Sequence, residues 1–353
     1  MKKLFYIANL RLPTEKAHGI QIMKMCEAFA NAGISVELIV PRRLNPLKAD
    51  PFLYYGVKNN FKITRLPVLD TVSWGHIGFW FETLTFLLFA RLYLLGKKGV
   101  VYTREEAAGL FFRDFVLELH TRLRTRVLLP RKIFVLTHLL KDELLAQNIP
   151  SQNIHILPDA VDIAQFDISV SKEEARRKVN LPLNKKIVMY SGSFFLYDWK
   201  GVDVMLEAAK DFGNEALFVL VGGSGEDTEN VLFAGRQTPT EIPLFLKAAD
   251  VLVLPNKKGS EMSEKHTSPL KLFEYMAAGR AIICSDLPSL REVVSEKEVL
   301  FFEPNNSAAL ADAIKKILAN TVLAEDLAHH SQTRAAYFSW ERRVQSVLAF
   351  MTA

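Results

Sequence analysis

The chain has 353 residues, 49% hydrophobic and 24% charged, with a formal net charge of +5. This balance excludes a disordered chain and a polytopic membrane protein, and the length predicts two domains of roughly 150 to 180 residues each. The two cysteines, Cys26 and Cys284, stand far apart in apolar stretches, which argues against a disulfide framework or a zinc site and predicts a reducing, cytoplasmic setting.

The start, Met1-Lys2-Lys3 followed by Leu4 to Leu10, has the outline of a signal peptide, but its apolar run is too short and stops at Arg11 and Pro13. A first strand explains it better. Short β-branched or aromatic runs then alternate with helical patterns, the signature of parallel strands joined by crossover helices. In the first half this predicts strands at Lys3 to Ala8, Ile34 to Val40, Phe61 to Leu66, Val100 to Thr103, Phe115 to Leu119 and Ile133 to Thr137. Between the first two, Ile22, Met23, Cys26, Phe29 and Ala30 recur at helical spacing and Gly33 ends the helix.

Ile77 to Leu95 is nineteen largely apolar residues, near the length of a bilayer span, but Glu82 and Arg91 interrupt it. Each charge at depth costs roughly 2.5 to 3.5 kcal/mol, so a buried or membrane-surface helix is expected rather than a spanning one. Residues 1–160 carry 22 Lys and Arg against 13 Asp and Glu, and the remainder 22 against 26. The basic first half suits an anionic membrane surface or is simply a solvated face; no nucleic-acid motif with interleaved aromatics accompanies it.

After the turn-rich stretch "LPDAVDIAQF", Leu157 to Phe166, strands are expected at Lys186 to Ser191, Ala216 to Val221, Val251 to Leu254, Ala281 to Cys284 and Val299 to Phe302. Two helices broken around Ser339 close the chain. The expected organisation is a domain at 1–162, a second at 163–335, and a C-terminal helix at 336–353 packing back on the first.

The most informative stretch is "TSPLKLFEYMAAG", Thr267 to Gly279. Ser268 can cap, Pro269 suits a first helical turn and Gly279 an exit. The helix is apolar nearly all round, hence buried, and Glu274 within it must be paired, either to Lys271 at i,i+3 or to a bound group. Its N-terminus is a ready phosphate site. "YSGSFFLYDWKGVD" places Gly192 after a strand and Lys200 before a helix, where sheet ligands bind; Lys200 is a candidate phosphate cation or a solvated lysine. "LFVLVGGSGED" adds Gly222, Gly223 and Gly225, which permit close backbone approach, although Thr228 breaks a dinucleotide fingerprint and Glu226 a hydrolase elbow.

In the first half, Gly19 opens a helix after the loop "ANLRLPTEKAHG" and permits backbone approach to a bound group. Glu118 and His120, in "FVLELHTRLRTRV", Phe115 to Val127, are two apart on a strand and can share one side of the sheet. His120 then projects from the carboxyl end or is a satisfied core histidine.

Taken in order, "WKGVD", "VGGSGED", "IPLFLKAADVLVLPN", "SPLKLFEYMAAG" and "IICSDLPSLREVV" resemble the second lobe of the family 4 glycosyltransferases of GT-B fold. The match is close over about Ile187 to Leu318 and looser elsewhere. The resemblance implies an α/β fold of two Rossmann-like parallel-sheet domains facing across a cleft. It implies a retaining, metal-independent enzyme that moves a sugar from a UDP- or GDP-sugar to a glycan or lipid-linked acceptor, with neither metal nor other cofactor and no nucleic-acid partner. By the same resemblance Lys200 contacts the donor diphosphate, Glu274 the ribose, the backbone of Thr267, Ser268, Pro269 and Leu270 the phosphates, and Phe233 to Pro239 the base.

Gly192 and Gly223 belong to the implied donor site. Gly19 lies under the donor phosphate; His18, Arg104 and Glu118 lie on the acceptor side; His120 orients sugar or acceptor. Arg104 is open to a second reading, an ion pair with Glu105 or Glu106. Two departures from the family pattern bear on catalysis. Phe195 stands where the family often has Arg, and His266 where a Glu often contacts the transferred sugar. A nucleotide-sugar 2-epimerase of the same fold and a nucleotide-sugar-binding protein with weakened catalysis are the alternatives. The expected location is cytoplasmic, at the inner membrane face.

Overall fold

The computed structural model describes residues 2–123, 130, 132–194 and 197–352. The chain divides into two compact units, Met1–Pro158 with Trp340–Ala353, and Asp159–Ser339. Each is built around one parallel sheet.

The first sheet contains β1 (Lys3–Ile7), β2 (Ser35–Pro41), β3 (Lys62–Leu66), β4 (Val100–Thr103), β5 (Val116–Leu119), β6 (Lys132–Val135) and β7 (Ile154–Ile156). Its order is β3-β2-β1-β4-β5-β6-β7, with every pair parallel. The expected strands form; β7 was not anticipated, because three residues carry too little periodicity. Order reverses between β1 and β4, the place where open α/β sheets bind ligands beyond their carboxyl ends.

The second sheet contains β8 (Lys186–Ser191), β9 (Ala216–Val221), β10 (Val231–Phe233), β11 (Val251–Leu254), β12 (Ala281–Ser285) and β13 (Leu300–Phe302), ordered β10-β9-β8-β11-β12-β13 and again parallel. Here the reversal falls between β8 and β11. The strands are apolar on both faces because helices cover both: Ile187, Met189 and Leu252 join one cluster, Val188, Tyr190 and Val251 another. The turn-rich stretch after Leu157 holds a short helix, Ile163–Phe166, which the absence of periodicity concealed; the Asp162 carboxylate caps it by accepting from Gln165 N at 3.2 Å.

The long apolar segment folds as the Gly75–Tyr93 helix. Among the described residues no helix is long and apolar enough to cross a membrane. Phe86, Leu87 and Ala90 enter the core, and Glu82 is fully buried, accepting from Asn9 Nδ2 at 2.7 Å. The other side keeps Trp74, Ile77, Trp80, Phe81, Leu88 and Leu92 exposed.

Candidate functional site

In the second unit the helix Leu270–Ala278 starts one residue later than expected. Pro269 occupies the cap position with extended backbone (φ −74°, ψ 119°), and no side chain caps the first turn. Ser268 does not cap it; its hydroxyl accepts from Asp159 N at 3.0 Å, tying the start of the unit to this turn. Gly279 ends the helix in the left-handed region (φ 62°), as its sequence position predicts. His266, Thr267 and Ser268 are buried immediately upstream, with His266 closing a wide π-type turn over Met262–His266.

Lys200 ends a short 3-10 turn, Asp198–Lys200. Its position is set by Gly201, whose φ is 66° and where a Cβ would stand 1.8 Å from the Pro255 carbonyl oxygen, and by Lys257 N donating to Trp199 O at 2.7 Å. The loop leaving β8 is thus fastened to the loop leaving β11, across the point of strand-order reversal. The Lys200 amine donates to the Ser193 carbonyl, and burial lowers its pKa to about 8. It is half-buried rather than a freely solvated lysine.

Lys271 completes the arrangement. Its amine donates to the Tyr190 hydroxyl at 2.6 Å and lies 3.9 Å from that ring's centre. A Cβ on Gly192 would stand 3.0 Å from it, and Gly192 has φ 129°. Burial, and then the neighbouring Lys200 charge, hold Lys271 well below the usual lysine range, while Glu274 acts in the opposite sense. Lys271 and Glu274 form no ion pair, which removes that reading of Glu274. Burial instead raises the Glu274 pKa to about 7, only partly offset by Lys271. Two amines therefore flank Gly192 and Ser193, beside a carboxylate that has no ion-pair partner among the described residues.

The glycine loops stack closely. Gly222 (φ 119°) leaves room for the Gly192 carbonyl, 2.6 Å from where its Cβ would be, and its N–H donates to Gly235 O at 2.7 Å. That bond anchors the loop after β10, which includes the stretch Phe233 to Pro239. Gly223 follows in the same turn. Asn256, one residue past Pro255 and buried, has both side-chain polar atoms without a hydrogen-bond partner among the described residues. Phe195 lies outside the described residues.

In the first unit His120 follows β5, and its Nε2 lies 2.5 Å from Glu118 Oε1. Glu118 is almost completely buried, so its carboxylate does not open to solvent on the acceptor side as expected. Burial pushes its pKa up, but Arg343 and the bond with His120 outweigh it and hold the carboxyl well below the usual range. An ionised carboxylate only accepts, so His120 Nε2 carries the hydrogen and Nδ1 keeps a lone pair. Burial, with Arg104 second, lowers the His120 pKa to about 4, leaving the ring neutral at pH 7.

His18 is the second residue of the helix Ala17–Asn31, and its pKa falls to about 3 through burial, then Arg104, Lys16 and His120. Arg104 follows β4 and donates through Nη1 to Gln21 Oε1 at 3.1 Å; it pairs with neither Glu105 nor Glu106. His18, Arg104 and His120 thus gather at the strand-order reversal of the first sheet. Gly19 has a different basis from the one expected. It lies inside the helix rather than opening it, and its N–H is taken by Lys16 O at 2.9 Å. A Cβ there would meet the Tyr55 hydroxyl at 2.2 Å, so the glycine answers a packing demand.

Motif reading took Lys271 only as a partner for Glu274 and missed Gln21, Tyr102 and Arg343. The last had a signal, an arginine on the otherwise apolar stripe Trp340, Val344, Val347. Among the described residues no three His, Cys, Asp or Glu side chains are grouped as a metal cage.

Parallel strands, glycine loops at a reversal of strand order and an uncapped helix start with two amines nearby are the features with which an α/β unit can hold a phosphate group. Residues 171–334 match the family described as glycosyl transferases group 1. Sequence relatives include a putative teichuronic acid biosynthesis glycosyltransferase, TuaC, of Bacillus subtilis. It is 25% identical over 189 residues, covering 52% of this chain and 46% of that one. Another is a phosphatidyl-myo-inositol mannosyltransferase of Mycobacterium leprae, 30% identical over 182 residues, covering 47% and 46%. The chain spans about half the length of these relatives.

Similar solved structures include Anabaena HepE in complex with UDP (TM-score 0.75, 13% identity, 100% of both chains). Sucrose-phosphate synthase of Thermosynechococcus elongatus also matches (TM-score 0.75, 18% identity, 100% of this chain and 99% of that one). The fold is GT-B, with two parallel-sheet α/β domains.

Proposed function

We propose that the protein transfers a sugar from a UDP- or GDP-sugar to a glycan or lipid-linked acceptor, with retention at the anomeric carbon and without a metal ion. The observation that carries this reading is the pair of amines, Lys200 and Lys271, at the Gly192–Ser193 turn beside the uncapped Leu270–Ala278 helix. The relatives, a glycosyltransferase of teichuronic acid synthesis and a phosphatidyl-myo-inositol mannosyltransferase, support it. So does the UDP bound in the HepE structure.

Leaving-group departure places negative charge on a phosphate oxygen, and preorganised donors at that oxygen are the main source of rate. In this reading Lys200 and the backbone from Thr267 to Leu270 meet that charge, with Gly192 and Gly223 allowing close approach. Lys271, held well below the usual lysine range in the free protein, becomes easier to protonate when the diphosphate arrives. Glu274 accepts from the ribose hydroxyls, His266 contacts the transferred sugar, and Phe233 to Pro239 line the base. The anomeric carbon–oxygen bond to the diphosphate breaks as the acceptor oxygen bonds to that carbon on the same face. The acceptor proton passes to the departing phosphate oxygen.

His120 then orients sugar or acceptor through its neutral ring rather than serving as an obligatory base. His18 and Arg104 complete the acceptor side. Gly19 enters by shaping the helix rather than by touching phosphate.

The setting in this reading is the cytoplasmic face of a membrane. It is supported by two buried, free cysteines, by the exposed aromatic and aliphatic side of the Gly75–Tyr93 helix and by Arg91, Lys97 and Arg113 around a depression at that helix's end. A thermal-shift panel of nucleoside diphosphates and sugar nucleotides tests the donor assignment. A ligand at about 100 times its Kd stabilises by ~2.7 kcal/mol. Product analysis follows: conversion of the donor sugar without acceptor identifies a 2-epimerase, and binding without diphosphate release across an acceptor panel identifies a binding protein. Absence of any nucleotide-induced shift overturns the proposal.

A further inference from the structure

The helix Trp340–Thr352 belongs to the first unit and packs against the helix Ala17–Asn31. Its buried residues, Trp340, Arg343, Val344 and Val347, follow the i, i+3, i+4, i+7 spacing of an apolar stripe, yet one is an arginine. The Arg343 guanidinium has its donors distributed inside the protein. Nη2 donates to Glu118 Oε1 at 2.9 Å and to Leu157 O at 3.3 Å, Nη1 to Glu118 Oε2 at 3.4 Å, and Nε to Pro158 O at 2.8 Å.

Glu118 is saturated in turn. Oε1 also receives Gln21 Nε2 at 2.6 Å and the ring of His120, while the Tyr102 hydroxyl donates to Oε2. Burying a guanidinium and a carboxylate is costly, and well-packed apolar side chains of similar volume commonly serve stability at least as well. What such a pair supplies and an apolar pair cannot is a carboxylate of fixed orientation and fixed charge.

We propose that Arg343 is a positioning residue for His120, acting through Glu118. With both carboxylate oxygens held, Oε1 offers one acceptor direction to Nε2–H, and the ring is kept in a single tautomer with Nδ1 as its lone-pair nitrogen. This rests on the reading that His120 orients sugar or acceptor. It adds that the C-terminal helix is part of that machinery. Among the described residues, the charged and titratable groups around the His120 ring are Glu118, Arg104 from the β4 exit, His18 from the Ala17–Asn31 helix and Arg343 itself.

The test is an NMR titration of the His120 ring in the full chain, paired with steady-state kinetics. Arg343→Met removes a repulsive charge and leaves Glu118 unbalanced, so the His120 midpoint should rise by about one unit or more. Turnover should fall while the donor KM holds, because the donor contacts lie in the other unit. Arg343→Lys, which keeps the charge but loses the fork, should restore the midpoint more fully than turnover.

Should Arg343→Met fail to fold, Arg343→Met with Glu118→Leu removes both buried charges together. The His120 ring nitrogens should then report a mixture of tautomers where the unaltered protein reports one. A folded Arg343→Met protein with unchanged His120 titration and unchanged turnover overturns the proposal, as does a single unchanged tautomer in the double variant. The NMR arm needs no turnover, so an error in the sugar-transfer reading would appear separately, as an unaltered protein that binds no nucleotide.

Discussion

The Lys271 amine donates to the Tyr190 hydroxyl at 2.6 Å and leaves Glu274, three residues along the same helix, without an ion pair among the described residues. A carboxylate with a pKa raised to about 7 by burial is stabilised by whatever hydroxyls approach it. Glu274→Gln should therefore preserve or slightly raise thermal stability and weaken nucleoside diphosphate binding by roughly 10- to 100-fold, the scale of hydrogen bonds to a charged group. Calorimetric titration beside a melting curve checks both halves. Undiminished affinity would take Glu274 out of the ligand contacts.

Lys200→Ala should lower turnover by about 100-fold or more, the usual scale for losing one preorganised donor at a developing anion. Steady-state rates with the donor identified by the thermal-shift panel measure this. Full activity would remove Lys200 from the mechanism.

Nucleotide affinity should pass through a maximum between about pH 7 and pH 8. As pH rises through about 7, Glu274 ionises and becomes an acceptor only, so affinity increases. Above about 8 the free protein's Lys200 loses its proton, and binding a diphosphate must restore it, so affinity declines. Isothermal titration from pH 6 to 9.5 should show both limbs, with proton uptake on the alkaline one. A flat profile would mean that neither group meets the ligand.

Gly19→Ala sets two effects against each other. Helix propensity favours alanine by about 1 kcal/mol. The new methyl meets the Tyr55 hydroxyl, which is itself held by Thr14 N and O at 2.7 Å each. Overpacking costs roughly 1 to 3 kcal/mol, so net destabilisation is expected. Combined with Tyr55→Phe, which removes the nearest atom and leaves the Thr14 methyl at 2.7 Å, Gly19→Ala should cost less than alone. Additive losses in denaturant melts would contradict the packing argument.

Trp80→Ser with Phe81→Ser, both on the exposed side of the Gly75–Tyr93 helix, should leave the melting temperature nearly unchanged and reduce sedimentation with vesicles of anionic lipid. Higher salt should weaken binding of the unaltered protein as the attraction of Arg91, Lys97 and Arg113 is screened. Equal binding by the double variant would exclude this face as the contact.

The residues alone determined most of the architecture. Strands β1 and β8 are legible because an apolar run of five or six residues stops at a polar or glycine turn. The helix after Pro269 is legible because Gly279 and an apolar stripe bound it. These signals are local, and backbone sterics and burial act on them within a few residues.

Tertiary structure decided which polar group meets which. Arg343 and Glu118 are 225 residues apart, and nothing near either names the other. Ser268 turned from its own helix to Asp159, and Gly19 proved to answer Tyr55. Lys271 chose Tyr190 over Glu274. Spacing along the chain specifies a face, but a buried polar atom's partner is set by packing, which brings distant segments into hydrogen-bonding range only after the sheets have formed.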